Sequence, residues 1–189
     1  MANRIKYGLK NVYYALATID STTGAATYST PVRIPGAVSL SMDPSGESNS
    51  FYADNIAYAT FGANAGYEGT LEVAMLPDSF RTDVLGEVLD ATSGIQYETT
   101  AATTIQFALL FQFEGDVDAV KHVFYNCTAT RTNVEGQTTE ESIEVKTESV
   151  DLKASAVYNA TAGTDIVKGK CTVTTSSTYT NWFTAVQQP

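Results

Sequence analysis

"SFYADNIAYATFGANAGYEGTLEVAMLPDSF", residues 50–80, decides how this chain is read. Its last third is plain. Leu71, Val73 and Met75 alternate with Thr70, Glu72 and Ala74, the period-two pattern of a strand with one apolar face. Pro77 ends that strand, and Asp78 or Ser79 can cap a helix by accepting a free backbone N–H. Phe80, Val84, Leu85, Val88 and Leu89 recur at helical spacing, which predicts a helix over about 79–91 laid against the sheet, with Gly94 as its stop. Gly86 inside that helix costs about 1 kcal/mol relative to Ala, so the helix depends on its packing. The first two thirds are less ordinary. Phe51, Tyr52, Tyr58, Phe61 and Tyr67 stand among Ala, Asn and Gly with little aliphatic content to form a core. "FYADN" and "AYATF" read as short strands around an Asp54-Asn55 turn, and residues 46–66 as a long excursion beyond the main sheet.

Outward from this stretch, strand signals dominate. "VYYALATI" (12–19) reads as a first strand, followed by a Gly-containing turn. Val38, Leu40 and Met42 alternate with Ser39, Ser41 and Asp43. Ile105, Phe107, Leu109, Phe111 and Phe113 form one face of a strand that turns at Glu114-Gly115-Asp116, and "AVKHVFYNCTATRT" returns to pair with it. Ile143 and Val145 share one parity and Val150 and Leu152 the other, which predicts a bend near Thr147 to Ser149. "GTDIVKGKCTVTT" is a last strand region. The expected architecture is a mostly antiparallel β-sandwich or partly closed barrel with one flanking helix. Residues 1–175 form the body, and 176–189, with Tyr179, Trp182 and Phe183 in a polar setting, read as a C-terminal docking arm.

The 189 residues suffice for one domain with a sizeable core. Eleven Lys and Arg against twenty-one Asp and Glu give a formal charge of −10. That balance opposes binding to the outside of a nucleic acid, which needs clustered cations. The opening residues lack the apolar core and cleavage site of a signal peptide, and no run approaches membrane-spanning length. Cys127 and Cys171 each sit in a strand-like run and read as reduced thiols. No catalytic chemistry is legible. His122 is the one histidine and stands in a strand without a nucleophile motif beside it. One His and two Cys fall short of a metal site, and "EGDVDAV" lacks the rest of a calcium loop. "GANAG" lacks the Lys and Ser/Thr of a phosphate loop. The expectation is a protein without catalytic, metal or cofactor site. Its aromatic excursion packs either on one end of its own core or on a neighbouring subunit.

The run "GESNSFYADNIAYATFGANAGYEGTLEVAMLPDSFRTDVLG" and the opening "NRIKYGLKNVYYALAT" resemble the major tail proteins of long, non-contractile-tailed bacteriophages, the phi13-type group in particular. The resemblance extends to about residue 175. It implies a tail-tube subunit: a β-sandwich that assembles into hexameric rings, stacked into a tube around a DNA channel. Its partners would be further copies of itself and the tail-tip, tape-measure and tail-terminator proteins, in the virion tail and, during assembly, in the host cytoplasm. DNA would pass without specific binding, and no membrane is involved. On this reading Phe51, Tyr52, Tyr58 and Phe61 anchor the excursion on a neighbouring subunit, and Trp182 and Phe183 belong to the docking arm. Strands 37–43 and 69–76 would line the channel, with Glu68, Glu72, Asp43 and Glu47 facing DNA, since acidic walls keep the polymer off the surface. The competing readings are a receptor- or carbohydrate-binding β-sandwich that uses the exposed aromatics, and an enzyme with an unrecognised carboxylate site.

Overall fold

The β-branched and aromatic residues that alternate along this chain do form strands. The computed structural model describes residues 5–115, 118–136, 138 and 145–189, and only the backbone of Ser48. In chain order the elements are β1 (Leu9–Ile19), β2 (Ala26–Tyr28), β3 (Val32–Arg33), β4 (Ala37–Ser45), β5 (Ser48–Ala53), β6 (Ile56–Gly62), β7 (Gly66–Val73) and helix α1 (Asp78–Asp83). There follow β8 (Val88–Leu89), β9 (Gln96–Tyr97), β10 (Phe107–Phe113), β11 (Lys121–Ala129), β12 (Glu148–Ala154), β13 (Val157–Asn159), β14 (Thr164–Ile166), β15 (Lys168–Cys171) and α2 (Ser177–Thr180). The main sheet runs β2-β1-β10-β11-β12-β7-β4, with β3 beside β1 and β15 beside β11. Every strand pair in it is antiparallel.

The sheet curls because one face of all its long strands shares a single core. Val12, Tyr14, Leu71, Val73, Phe107, Leu109, Phe124, Val150 and Leu152 meet there, and α1 contributes Phe80. The Phe80 ring meets Tyr14 and Phe107 edge-on, at 5.1 and 5.5 Å between centroids. The curl brings β1 and β4 back into contact, yet no ladder joins them among the described residues, so the barrel stays open. The chain is mostly β, with antiparallel sheets and two short helices.

Strands β10 and β11 are buried on both faces. Ala108, Leu110, Val123 and Tyr125 turn away from the first core into a second one, which Trp182 closes at 3% exposure. The indole Nε1 donates to the His122 carbonyl at 3.2 Å, and Phe183 stacks on Tyr13 at 4.9 Å. Lys121 Nζ donates to the Tyr179 carbonyl, Tyr125 Oη to that of Gln187, and Gln188 Nε2 to that of Ala26. The expected arm of residues 176–189 therefore docks on the chain's own sheet. Trp182 and Phe183 are core-closing residues within the subunit: with Ala26, Tyr28 and Val157 they cover the apolar face that β10 and β11 leave.

The helix is shorter than its periodicity predicts. It ends at Asp83, and Gly86 adopts φ +77°, a left-handed conformation that breaks the helical path. Val88 and Leu89 then pair with Tyr97 and Gln96, and Gly94 serves the turn of this small hairpin rather than a helix end. Pro77 occupies the N-cap position, and neither Asp78 nor Ser79 supplies a cap. β7 stops at Val73, which leaves Met75 72% exposed while Leu76 enters the core. Cys127 is buried, Cys171 is half-buried, and both are free thiols. Cys171 pairs with Lys121, six positions along β11 from Cys127, a separation of roughly 20 Å. His122 stacks on Phe111 at 5.2 Å. Val145 is exposed and precedes β12; Ile143 and Asp116 lie outside the described residues.

Trp182→Ala is expected to destabilise the folded chain by about 3–5 kcal/mol, the usual cost of deleting a buried indole. Urea unfolding followed by far-ultraviolet circular dichroism measures it. An unchanged midpoint would show that the C-terminal segment adds nothing to the subunit's own core.

Candidate assembly surfaces

The excursion is a β-hairpin. β5 and β6 pair as a separate two-stranded sheet, with Ala53 opposite Ile56. Asp54 and Asn55 form a two-residue loop, both at positive φ (52° and 62°). That is the geometry of a type I′ turn, whose twist matches that of the flanking strands, and Asp and Asn tolerate it best after Gly. The hairpin continues β4 and β7 outward. Ala63 and Ala65 donate to the carbonyls of Glu47 and Ser45 across its base. A side chain at Gly46 would collide with the Ala63 carbonyl, so the two strands can approach there only with glycine.

The hairpin is apolar on both faces. The register places Phe51 and Phe61 on one face with Ile56. A bulge after Phe51 sets Tyr52 and Tyr58 together on the other. None of these five finds cover: their exposures run from 58% for Phe51 to 69% for Tyr58. A two-stranded ribbon has no interior in which to hide them. Tyr67, by contrast, lies below the hairpin in β7 and packs on Phe124 at 5.3 Å. The sole ionisable carboxylate in 48–62 is Asp54, at the tip.

The second surface is the outer, polar face of β4, β7 and β12. Ser39 sits opposite Glu72, Ser41 opposite Thr70, and Asp43 opposite Glu68. On the far side of β7, Thr70 faces Asp151 and Glu68 faces Lys153. Four carboxylates (Asp43, Glu68, Glu72 and Asp151) thus share this face with one lysine. Thr147 and Ser39 hydroxyls donate to Glu72 at 2.6 and 2.8 Å, and Thr70 Oγ1 donates to Asp151 at 2.9 Å. Lys153 Nζ lies 2.7 Å from Glu68, to which Ser45 Oγ also donates. Part of the face forms an open depression of about 700 Å³ between Asp43, Glu68, Thr128 and Lys153. Glu47 lies apart from this row, exposed at the base of the hairpin. Among the described residues the outer edge of β4 has no partner strand, and Pro44, lacking an N–H, is tolerated at such an edge.

The hydrogen bond and charge of Lys153 hold the Glu68 carboxyl below the usual glutamate range, and Thr147 and Ser39 do the same for Glu72. Both folded values lie below the ordinary 4.5. Their stabilisation is therefore complete above that pH and is lost as pH falls through the folded values. The double variant Glu68→Gln, Glu72→Gln should melt below the unchanged chain at pH 7, and the gap should narrow as pH falls below 4.5. A gap independent of pH in differential scanning calorimetry would mean that these hydrogen bonds do not depend on ionisation.

No group of three or more His, Cys, Asp or Glu able to hold a metal exists among the described residues. No helix among them is long and apolar enough to cross a membrane. Comparison with known proteins gives the following. No curated protein matches the chain. Among solved structures, the chain is similar to a component of the anti-feeding prophage baseplate, seen by cryo-electron microscopy with six-fold symmetrisation. The match has 11% identity and a TM-score of 0.48, and covers 92% of this chain and 98% of that one. The family described as "Phage tail tube protein" matches residues 2–173, nearly the whole chain. The protein belongs to the phage tail tube protein family and is a structural component of a phage tail.

Proposed function

We propose that this chain is the repeating subunit of the tube of a long, non-contractile tail of the phi13 type, built from stacked hexameric rings whose lumen conducts DNA from virion to host. The observation that carries the reading is the β5–β6 hairpin: an ordered, nearly uncharged ribbon with Phe51, Ile56 and Phe61 on one face and Tyr52 and Tyr58 on the other. A lone subunit gains nothing from holding such surface in water, whereas a neighbouring copy buries it. The ring joint follows from the free edge of β4, since an unpaired strand edge invites another strand.

The acidic face of β4, β7 and β12 then lines the channel. Phosphates drawn to cationic walls would be held at each contact, and Asp43, Glu68, Glu72 and Asp151 repel them instead. Lys153 sits against Glu68 and is thereby withheld from DNA. Glu47 would lie beside the channel rather than on this face. Tail-tip, tape-measure and tail-terminator proteins start, measure and end such a tube.

Phe51→Ala with Tyr52→Ala should leave the far-ultraviolet spectrum and melting temperature of the monomer unchanged while tube formation fails, as scored by sedimentation velocity. Loss of folding would make these residues core. Retained assembly, or glycan binding by a monomer that never assembles, would favour a receptor-binding domain. Glu68→Lys with Glu72→Lys should leave assembly intact and slow DNA ejection in complemented phage. Ejection at the normal rate would remove this face from the lumen.

A further inference from the structure

Where the β1–β2 turn meets the β13–β14 hairpin, the fold leaves an open depression of about 520 Å³. Asn126 of β11 is part of its lining, and that residue is only 6% exposed. One end of the Asn126 amide is satisfied, since Nδ2 donates to Ser155 Oγ at 2.9 Å. The Asn126 backbone carbonyl accepts from the Ser155 N–H, also at 2.9 Å. The residue is thereby clamped to the link between β12 and β13. Among the described residues nothing donates to its Oδ1. Ser155 does not line the depression, so the Oδ1 end of the amide is the one turned toward it. A buried acceptor without a donor costs about 1–3 kcal/mol, and few such groups persist in folded chains.

The surroundings define the donor that suits this atom. Ser21, Gln106 and Asp165 supply the other polar parts of the lining, and no Lys, Arg or His belongs to it. Asp165 is exposed and stands opposite Tyr158 in the β13–β14 ladder. Tyr158, 37% exposed, offers a ring, and aromatic faces attract cations. Ile19 adds hydrocarbon. The walls are already held in place. Val157 is buried in the second core, Tyr158 bridges to Ala25, and Asn159 Nδ2 donates to Gln188 Oε1 at 2.8 Å. A ligand entering here orders little that is not ordered beforehand.

We infer that this depression binds a primary ammonium group carried on a short alkyl chain. One N–H donates to Asn126 Oδ1, the charge sits beside the Asp165 carboxylate and the Tyr158 ring, and the stem lies along Ile19. Oδ1 is itself buried, so a small turn of the amide completes the contact. An ammonium has three donors and no acceptor, which fits a lining that offers an unpaired acceptor and a carboxylate and holds no competing cation. The net charge of −10 raises the concentration of such cations near the surface. A single water takes up about 30 Å³, so it would leave most of the depression unfilled and the carboxylate unanswered. Two sources carry the group: a free alkyl diamine, and the lysine side chain of another protein. The site stands whether or not the chain builds a tube.

Titration of the full chain with n-butylammonium at pH 7, followed by ¹H–¹⁵N NMR, tests the site. The side-chain amide signals of Asn126 and the backbone signals around Asp165 should shift together and saturate with a dissociation constant of about 1 mM. Asp165→Asn should melt like the unchanged chain, because the position is exposed, and should weaken binding about tenfold, as loss of a charge-assisted contact does. Tetramethylammonium, a cation without N–H donors, should leave the Asn126 signals where they are. Tighter binding of 1,4-diaminobutane than of a capped Gly-Lys-Gly peptide would assign the site to a free amine, and the reverse order to a partner's lysine; either order upholds the ammonium site. No saturable shift at Asn126 up to about 100 mM butylammonium, a hundredfold above the expected constant, would overturn it. Equal shifts with tetramethylammonium would overturn it in favour of general attraction to an acidic surface. A long-lived water bonded to the Asn126 amide, seen by water–amide cross-relaxation and undisturbed by the amine, would also overturn it, since that water would satisfy Oδ1.

Discussion

The structure depends on one constraint: β10 and β11 are apolar on both faces and need cover on both. Phe107, Leu109 and Phe111 require one core, and Ala108, Leu110, Val123 and Tyr125 require another. The first is met by curling the sheet until β7 and β12 face β10, with α1 plugging the gap through Phe80. The second is met by the C-terminal segment, whose Trp182 is closed over the back of the sheet and pinned by its hydrogen bond to the His122 carbonyl. Full burial of side chains of this size contributes about 1.5–3 kcal/mol each. The two cores together thus oppose the entropy of ordering many short strands joined by loops. With both faces of the centre satisfied, what remains unsatisfied lies at the periphery: the edge of β4 and the β5–β6 hairpin.

On the tube reading, that division of labour lets one chain complete its own core and still present surface for assembly. The buried centre does not use the hairpin, so the hairpin's aromatics are free of any folding role in the subunit. Their exposure carries an association hazard, which the net charge of −10 moderates by repulsion between copies. Salt screens that repulsion, so the same surface charge that keeps subunits apart at low ionic strength weakens as a barrier when salt rises. On the tube reading, the polar face of β4, β7 and β12 adds a second use for negative charge, as a wall that does not hold DNA.

What was legible in the sequence is what short-range chemistry determines. The β class, the pairing of β10 with β11 and the hairpin around Asp54-Asn55 follow from alternation and from two residues that accept positive φ. The polar row of Asp43 and Glu72 follows from period two, and Glu68 joins it because its neighbours continue the alternation through β7. What was not legible depends on distant partners. Val88 and Leu89 fit a helical stripe, yet Gly86 in a left-handed conformation breaks the helix and a ladder to Gln96 and Tyr97 takes them over. Trp182 and Phe183 look like a free arm because the apolar face that receives them is built about sixty to seventy positions earlier, by β10 and β11. Met75 obeys the strand pattern but falls past the end of the ladder at Val73. The β8–β9 corner gave no signal at all, since its exposed apolar residues read as the buried stripe of a helix.

Electron microscopy of the purified protein over a range of concentration and salt tests self-association of the unchanged chain most directly. A tube subunit should form rings or hollow tubes of one uniform diameter, more abundant as salt is raised. Dispersed single subunits under every condition, and still in the presence of tail-tip components, would contradict it.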